Sequence, residues 1–362
     1  MNFVNSIRSA VKWAFANGTE KYINISNKAK KPYPEVSGYF IPTFKSLGFH
    51  QRAFNYASYL ANSQSWNGAW GIGNLYYIFD TAQIIDGLSE YNQFSTNVAN
   101  ASKWVLSQYN NETGSFRDDY SGTLPLQVHM RTIYCLSKAG VPSGSFWKFM
   151  ERPENRVFGG LSHFWAYAFE GYARLGLDCK SFLDIVRQYD CKIPAYSNNN
   201  AYCMTGISQT ALSCFICNEF DLGMKCLEFV AGFQSPSGGF PSSNSDSCYF
   251  GKEEVSWGVK FYLDAFMEAQ RCWFRTNTDK FGEIFEDGES DKRYQFVKQR
   301  VSPQMKVLDA GCGKGRYINH LDCDRYACNL GETSKYLTDT KFRISSCLDL
   351  DYDDNYFDVV IC

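Results

Sequence analysis

A glycine-centred turn that recurs along most of the chain does more than any other feature to limit what this sequence can fold into. Gln64-Ser65-Trp66-Asn67-Gly68-Ala69-Trp70 reads as a glutamine, three residues, a glycine, one residue and an aromatic. Gln234-Ser235-Pro236-Ser237-Gly238-Gly239-Phe240 repeats it, and Gln108 to Gly114, Ser115 and Phe116 is a stretched copy. Gln64 and Gln108 lie 44 residues apart, and Gln108 and Gln234 lie 126 apart, close to three further units of that length. Gly159-Gly160-Leu161 marks one intervening turn. Self-similarity on this scale is the signature of stacked helical units. In each unit a helix ends at the glutamine, a glycine turn carries an aromatic, and another amphipathic helix follows. Phe79 to Leu88 and Tyr167 to Ala173 both place apolar residues at helical spacing. Glycine suits the turn because positive φ is open to it. Five or six such helix pairs close into a ring with a continuous core between two layers. The expected fold of residues 1–270 is an all-α (α/α) toroid.

Composition narrows the partners. With 36 basic and 38 acidic residues the net charge is −2, which favours neither nucleic acid nor an anionic membrane. The start of the chain lacks an apolar signal core and no apolar run is long enough to span a bilayer, so a cytoplasmic setting is expected. The 14 cysteines are scattered. Their one close pair, Cys214 and Cys217, falls in a helical run without a histidine at zinc spacing, so they read as reduced core thiols, with no metal. Aromatic residues make up 17% of the chain, enough to line a large cavity or surface.

Residues 271–304 form a polar junction with a short helix over roughly 291–300. After Pro303 the period changes. Short apolar runs at Lys306 to Asp309, Arg325 to Asn329, Phe342 to Ile344 and Phe357 to Ile361 predict a parallel, Rossmann-like α/β sheet. The first run enters Val307-Leu308-Asp309-Ala310-Gly311-Cys312-Gly313-Lys314-Gly315, whose glycines let a ligand approach the backbone at a strand-to-helix turn. This acid and three spaced glycines resemble motif I of class I S-adenosylmethionine (SAM)-dependent methyltransferases, and Asp353 to Ile361 resembles the stretch entering that family's fourth strand. The resemblance implies SAM as cofactor, held at Asp309, Gly311, Gly313 and Gly315. Asn329 stands where the family usually has an acid for the ribose. Ser346 stands where an aspartate often meets the adenine, with Asp349 nearby as a substitute. The family's sheet has seven strands and residues 305–362 supply four, so an incomplete methyltransferase domain is expected, finished elsewhere in a longer protein or by a partner.

The glutamine–glycine–aromatic repeats resemble the α/α-toroid superfamily of terpene cyclases and protein prenyltransferases. The cyclase Asp-x-Asp-Asp motif is absent from residues 1–270, however, and no histidine follows Asp246-Ser247-Cys248 to complete a prenyltransferase zinc site. A closer resemblance is to toroids encoded among bacterial polysaccharide-synthesis genes. It is carried by Pro32 to Tyr39, Phe79 to Gln83, Leu161 to His163, Cys203 to Gln209 and Trp257 to Ala265. That likeness implies polar groups converging at one mouth of the ring, with a glycan or sugar-containing small molecule as partner. Glu35 and Asp80 are then candidate acid and base, with His129 and His163 as further catalytic candidates. Tyr39, Gln83, Arg131, Tyr167, Gln209, Trp257 and Lys260 are candidate substrate contacts, some of them suited to a sugar acid. Against this, Asp80-Thr81 and Ser162-His163 also read as helix caps, and Lys260 with Asp264 as a structural ion pair. The expected function is a SAM-dependent methyltransferase fused to a toroid that binds or modifies a glycan. The alternatives are a carbohydrate-active toroid of lyase, hydrolase or epimerase type with a degenerate tail, and a non-catalytic module binding through Trp66, Trp70 or Trp257.

Overall fold

The two full copies of the glycine turn fold alike in the computed structural model, which describes residues 3–117, 120–122, 124–277, 291–347, 350 and 352–362. Gln64 Nε2 donates to Gly68 O at 2.8 Å and to Asn97 O at 2.9 Å. Gln234 Nε2 donates to Gly238 O and to Ser6 O, each at 2.9 Å. Each glutamine therefore closes its own turn and ties it to another helix. Gly68 and Gly238 have φ of 92° and 95°. A methyl group would stand 2.7 Å from Asn100 O at the first and 2.2 Å from Ser9 O at the second. Glycine is required at both for the left-handed backbone and for the close approach. The stretched copy differs: the Gln108 amide turns back to Trp104 O at 3.4 Å.

The first helices are α1 (Phe3–Ala16), α2 (Pro34–Ser46), α3 (His50–Asn62), α4 (Ile78–Leu88), α5 (Ser95–Ser107) and α6 (His129–Lys138). They are followed by α7 (Trp147–Met150), α8 (Ser162–Arg174), α9 (Lys180–Gln188), α10 (Met204–Ile216), α11 (Phe220–Ala231) and α12 (Ser256–Thr276). Two-residue hairpins, β1–β2 (Gly71–Ile72 and Leu75–Tyr76) and β3–β4 (Tyr109–Asn110 and Ser115–Phe116), lie at the first two turns. The even-numbered helices form an inner layer in which α2, α4, α6, α8 and α10 pack in succession. Helix α12 returns to α2, where Thr43 Oγ1 donates to Asp264 Oδ1 at 2.7 Å and the Tyr39 ring meets Phe261. The outer layer closes through the bond from Gln234, after α11, to Ser6 of α1. The architecture is an α/α toroid.

The helices after each turn are not all amphipathic, as the pattern suggested. Every residue of α4 is buried, including Asp80, Thr81, Gln83 and Asp86. An inner helix is enclosed by its neighbours and by the outer layer, so its polar side chains must find partners inside the protein. Outer helices keep the one-sided pattern: α9 buries only Phe182 and Val186.

The chain divides into two units, Met1–Ala269 and Gln270–Cys362. In the second, α13 (Lys292–Lys298) is capped by Asp291, which accepts the Arg293 N–H at 2.8 Å. Strands β5 (Lys306–Ala310), β6 (Asp324–Asn329), β7 (Lys341–Ile344) and β8 (Val359–Ile361) form a parallel sheet in the order β7-β6-β5-β8. They fall on the expected segments. The crossover after β5 does not: the glycine loop leads to a three-residue 3-10 turn at Ile318–His320 where an α-helix was expected. The polar residues 278–290 of the junction and Asp349 lie outside the described residues. No helix among the described residues is long and apolar enough to cross a membrane.

Gly68→Ala and Gly238→Ala should each lose more than about 1 kcal/mol in urea unfolding. Gly144→Ala, whose added methyl meets nothing within 4 Å, should stay within about 0.5 kcal/mol of the parent. Equal effects at all three positions would contradict the turn geometry.

Candidate active site

The N-terminal turns of α2, α4, α8 and α12 converge on a cavity of about 410 Å3. Helix α2 supplies Glu35, α8 supplies His163 and Tyr167, and α12 supplies Trp257, while loops add Tyr33, Tyr120, Tyr249 and Phe250. Glu35 is 5% exposed, and Trp257 Nε1 donates to its Oε2 at 3.3 Å. Burial, reinforced by the nearby charge of Asp80, pushes the Glu35 carboxyl well above the usual range. Its neutral, protonated form is therefore favoured relative to an ordinary glutamate.

Asp80, in the first turn of α4, is 1% exposed. Tyr33 OH donates to its Oδ2 at 2.7 Å and Tyr120 OH donates to its Oδ1, the two hydroxyls lying 2.9 Å apart. Burial and the charge of Asp80 push both phenols up, so both keep their protons. Tyr120 stacks on Tyr77 with centroids 3.9 Å apart, and its φ of 54° is a left-handed backbone that a tyrosine rarely adopts. A buried carboxyl whose proton is held more tightly than usual thus lines an aromatic cavity, and a second carboxyl that accepts two phenol hydroxyls stands just behind its wall.

Behind that wall runs a chain of buried charges. His163 Nδ1 lies 3.0 Å from Gln209 Oε1, and Gln209 Nε2 donates to Glu170 Oε2 at 2.8 Å. Glu170 Oε1 lies 2.7 Å from Arg174 Nε and 3.3 Å from Arg131 Nε. Arg131 Nη2 then pairs with Asp86 Oδ2 at 2.6 Å, and Lys138 Nζ with Asp86 Oδ1 at 2.9 Å. Burial works against the charge of Asp86, but Lys138 and Arg131 outweigh it and hold the carboxyl far below its usual range. Arg131 is buried, with Nη2 on Asp86 and Nε close to Glu170, so it is not open to a substrate. Lys260 is similarly engaged: its Nζ lies 2.8 Å from Asp264 and 4.0 Å from the Phe261 ring centre.

Of the residues singled out from sequence, Glu35, His163, Tyr167 and Trp257 line the cavity. Asp80 stands behind Tyr33 and Tyr120, Gln209 behind His163, and Tyr39 donates its hydroxyl to Tyr167 at 2.7 Å. His129 and Gln83 are not brought there. His129 stacks on Phe116 at 4.7 Å and burial lowers its pKa to about 3. Gln83 Nε2 turns back to Phe79 O at 3.3 Å. Asp80-Thr81 and Ser162-His163 are not helix caps, since α4 and α8 have no side-chain cap. Trp66 projects outward, 93% exposed, and Trp70 is buried with its indole donating to Leu60 O at 2.9 Å. Sequence reasoning missed Tyr33, Tyr120, Tyr249 and Phe250. The first had a signal, an aromatic immediately before an inner helix, which Tyr77 repeats before α4.

In the second unit Gly311 and Gly313 have φ of 87° and 53°, with nothing within 4 Å of an added methyl. Gly311 N–H and Cys312 N–H both donate to Cys328 O, folding the loop over the end of β6. Asp309 is 5% exposed, and burial pushes it up to about 6, opposed by the Ile318 N–H it accepts. Asn329 ends β6 with its side-chain amide 3.5 Å from Gly331 O. The loop leaves an open shelf at the carboxyl edge where the strand order reverses, the place where ligands bind such sheets.

No family model matches this chain, and no curated protein matches it. Its fold does have likenesses among solved structures. An alpha-amylase from Clostridium perfringens superposes with a TM-score of 0.56 at 12% identity, over 73% of this chain and 97% of that one. A D-mannose isomerase gives 0.55 at 11%, over 74% and 96%. The type II terpene cyclase MstE from Scytonema gives 0.53 at 11%, over 74% and 98%. At such identities these likenesses establish the α/α-toroid fold and nothing finer.

Because the Glu35 pKa is raised by folding, its neutral form stabilises the protein at acid pH, and this contribution is lost as pH rises above the ordinary carboxylate value. Glu35→Gln should therefore gain on the parent by about 1.4 kcal/mol per pH unit between the unfolded and folded pKa values. Urea unfolding at pH 4 and pH 8 measures the gap, and a gap that does not move with pH would contradict a protonated Glu35.

Proposed function

We propose that the toroid is a carbohydrate-active enzyme in which Glu35 donates a proton and Asp80 accepts one. The observation that carries this reading is the pairing of Glu35, a buried carboxyl raised above its usual range, with Asp80, a carboxyl that accepts two phenol hydroxyls, at one aromatic cavity, the difference in environment that acid–base catalysis needs. In glycoside hydrolysis Glu35 would protonate the oxygen of the breaking bond. The attacking water would give its proton to the phenol of Tyr33 or Tyr120 as that phenol passes its own to Asp80. The same pair serves proton removal and return at a sugar carbon. Sugar rings stack on aromatic faces, which Trp257, Tyr249 and Phe250 offer. An uncharged sugar fits better than a sugar acid, because Arg131 and Lys260 are both held by carboxylates. Two of the solved structures similar to this chain, the alpha-amylase and the D-mannose isomerase, are named for sugar substrates.

A second reading concerns residues 305–362, which we propose hold SAM at the open glycine shelf. Gly311 and Gly313 would let the cofactor approach the backbone, and Asn329 would hydrogen-bond a ribose hydroxyl. Bound SAM supplies an electrophilic methyl group; the chain's contribution is binding and orientation. Together the two readings make this a glycan-modifying protein.

Glu35→Gln should lower turnover of neutral oligosaccharides by about 100-fold or more with binding retained. Trp257→Ala should chiefly weaken binding. Unchanged turnover in Glu35→Gln would remove Glu35 as the acid, and binding without turnover in the parent would leave a glycan-binding module. Calorimetric titration with SAM should show binding that Gly313→Val abolishes, and a parent without SAM binding would contradict the second reading.

A further inference from the structure

One nitrogen in the cavity has its hydrogen-bonding character dictated from behind. Glu170 is completely buried. Burial works against its charge, but Arg131 and Arg174 outweigh it and bring its pKa down to about 2. A carboxylate can only accept, so the group of Gln209 that lies 2.8 Å from Glu170 Oε2 must be its NH2. The amide orientation follows from the charge and needs no further assumption.

With its NH2 turned to Glu170, Gln209 presents its carbonyl to His163, at 3.0 Å from Nδ1. A carbonyl can only accept, so Nδ1 must carry a hydrogen. Burial lowers the His163 pKa to about 3, which leaves the ring neutral with a single N–H. Nε2 is therefore a bare lone pair. No residue among those described hydrogen-bonds to it, and the ring lines the cavity between Tyr167 at 4.5 Å and Phe261 at 5.7 Å.

We propose that His163 Nε2 is a fixed hydrogen-bond acceptor that reads a donor hydroxyl of an uncharged sugar, and that Gln209 and Glu170 are positioning residues excluding the opposite tautomer. This rests on the glycan reading of the cavity. It adds a specificity element: a ring that cannot reorient rejects a substrate offering an acceptor, such as a sugar carboxylate, at that position. A neutral histidine without such a chain interconverts its tautomers and accepts either kind of group.

The test uses the full chain labelled with 15N-histidine, with glucose and maltotriose as uncharged probes and glucuronate as the charged counterpart. The chain has four histidines, and His163→Gln identifies the signals of His163. The Nδ1–H tautomer is expected at His163 throughout neutral pH. Gln209→Leu should abolish that preference and weaken neutral-sugar binding roughly tenfold, with the His129 signals unchanged as a check on folding. Glucuronate should bind worse than glucose to the parent. An Nε2–H tautomer in the parent, or undiminished binding in Gln209→Leu, would overturn this proposal while leaving the glycan reading in place. Absence of any sugar binding by the parent would overturn both, even with the Nδ1–H tautomer observed.

Discussion

Inner helices enclosed by their neighbours and by an outer layer leave a buried charge little water to solvate it, and the interior of this toroid follows from that constraint. Asp86, Arg131, Glu170 and Arg174 form an alternating chain across α4, α6 and α8, and each charge is compensated by the next. Removing one partner would leave an unpaired buried charge, which typically costs about 3–5 kcal/mol. The chain therefore holds the inner helices in register. It also ends at the cavity: Glu170 fixes Gln209, and Gln209 faces His163.

Glu35 and Asp80 obey the same constraint with a different outcome. No cation pairs with Glu35 at hydrogen-bond distance among the described residues, so burial against Trp257 raises its hold on a proton. Asp80 instead accepts two phenol hydroxyls. Two carboxyls of similar intrinsic acidity thus sit in different surroundings, one raised by burial and the other held by two phenol hydroxyls, and unlike environments are the general means by which one site supplies both an acid and a base.

The repeats were legible as a ring because Gln64 and Gln234 perform the same two hydrogen bonds, and a glycine with φ above 90° leaves a clear trace in sequence. Strands β5 and β6 were legible because parallel strands with a buried centre read as short apolar runs, while the edge strands β7 and β8 kept a few apolar residues although β7 is largely exposed and β8 partly so. The site was legible only in part. Glu35, His163, Tyr167 and Trp257 were found because polar or aromatic residues at the starts of inner helices meet at one mouth. Arg131 looked like a sugar-acid ligand because nothing local reveals that Asp86 and Glu170 occupy it, one 45 and the other 39 residues away in sequence. Tyr120 and Tyr249 come from loops, whose placement depends on tertiary packing that no periodicity encodes. The missing α-helix after β5 escaped notice because the glycine motif is the same whether a helix or a 3-10 turn follows it.

The central claim is that the Glu35 carboxyl is held well above the ordinary glutamate range because it is buried beside the charge of Asp80. Carboxyl carbon NMR of 13C-labelled protein, followed through a pH titration and assigned with Glu35→Gln, measures this directly in the parent and in Asp80→Asn. The account predicts a Glu35 carboxyl that titrates above the ordinary glutamate range in the parent and moves down when the Asp80 charge is removed. A Glu35 that titrates as an ordinary glutamate in the parent, or that does not respond to Asp80→Asn, would contradict it.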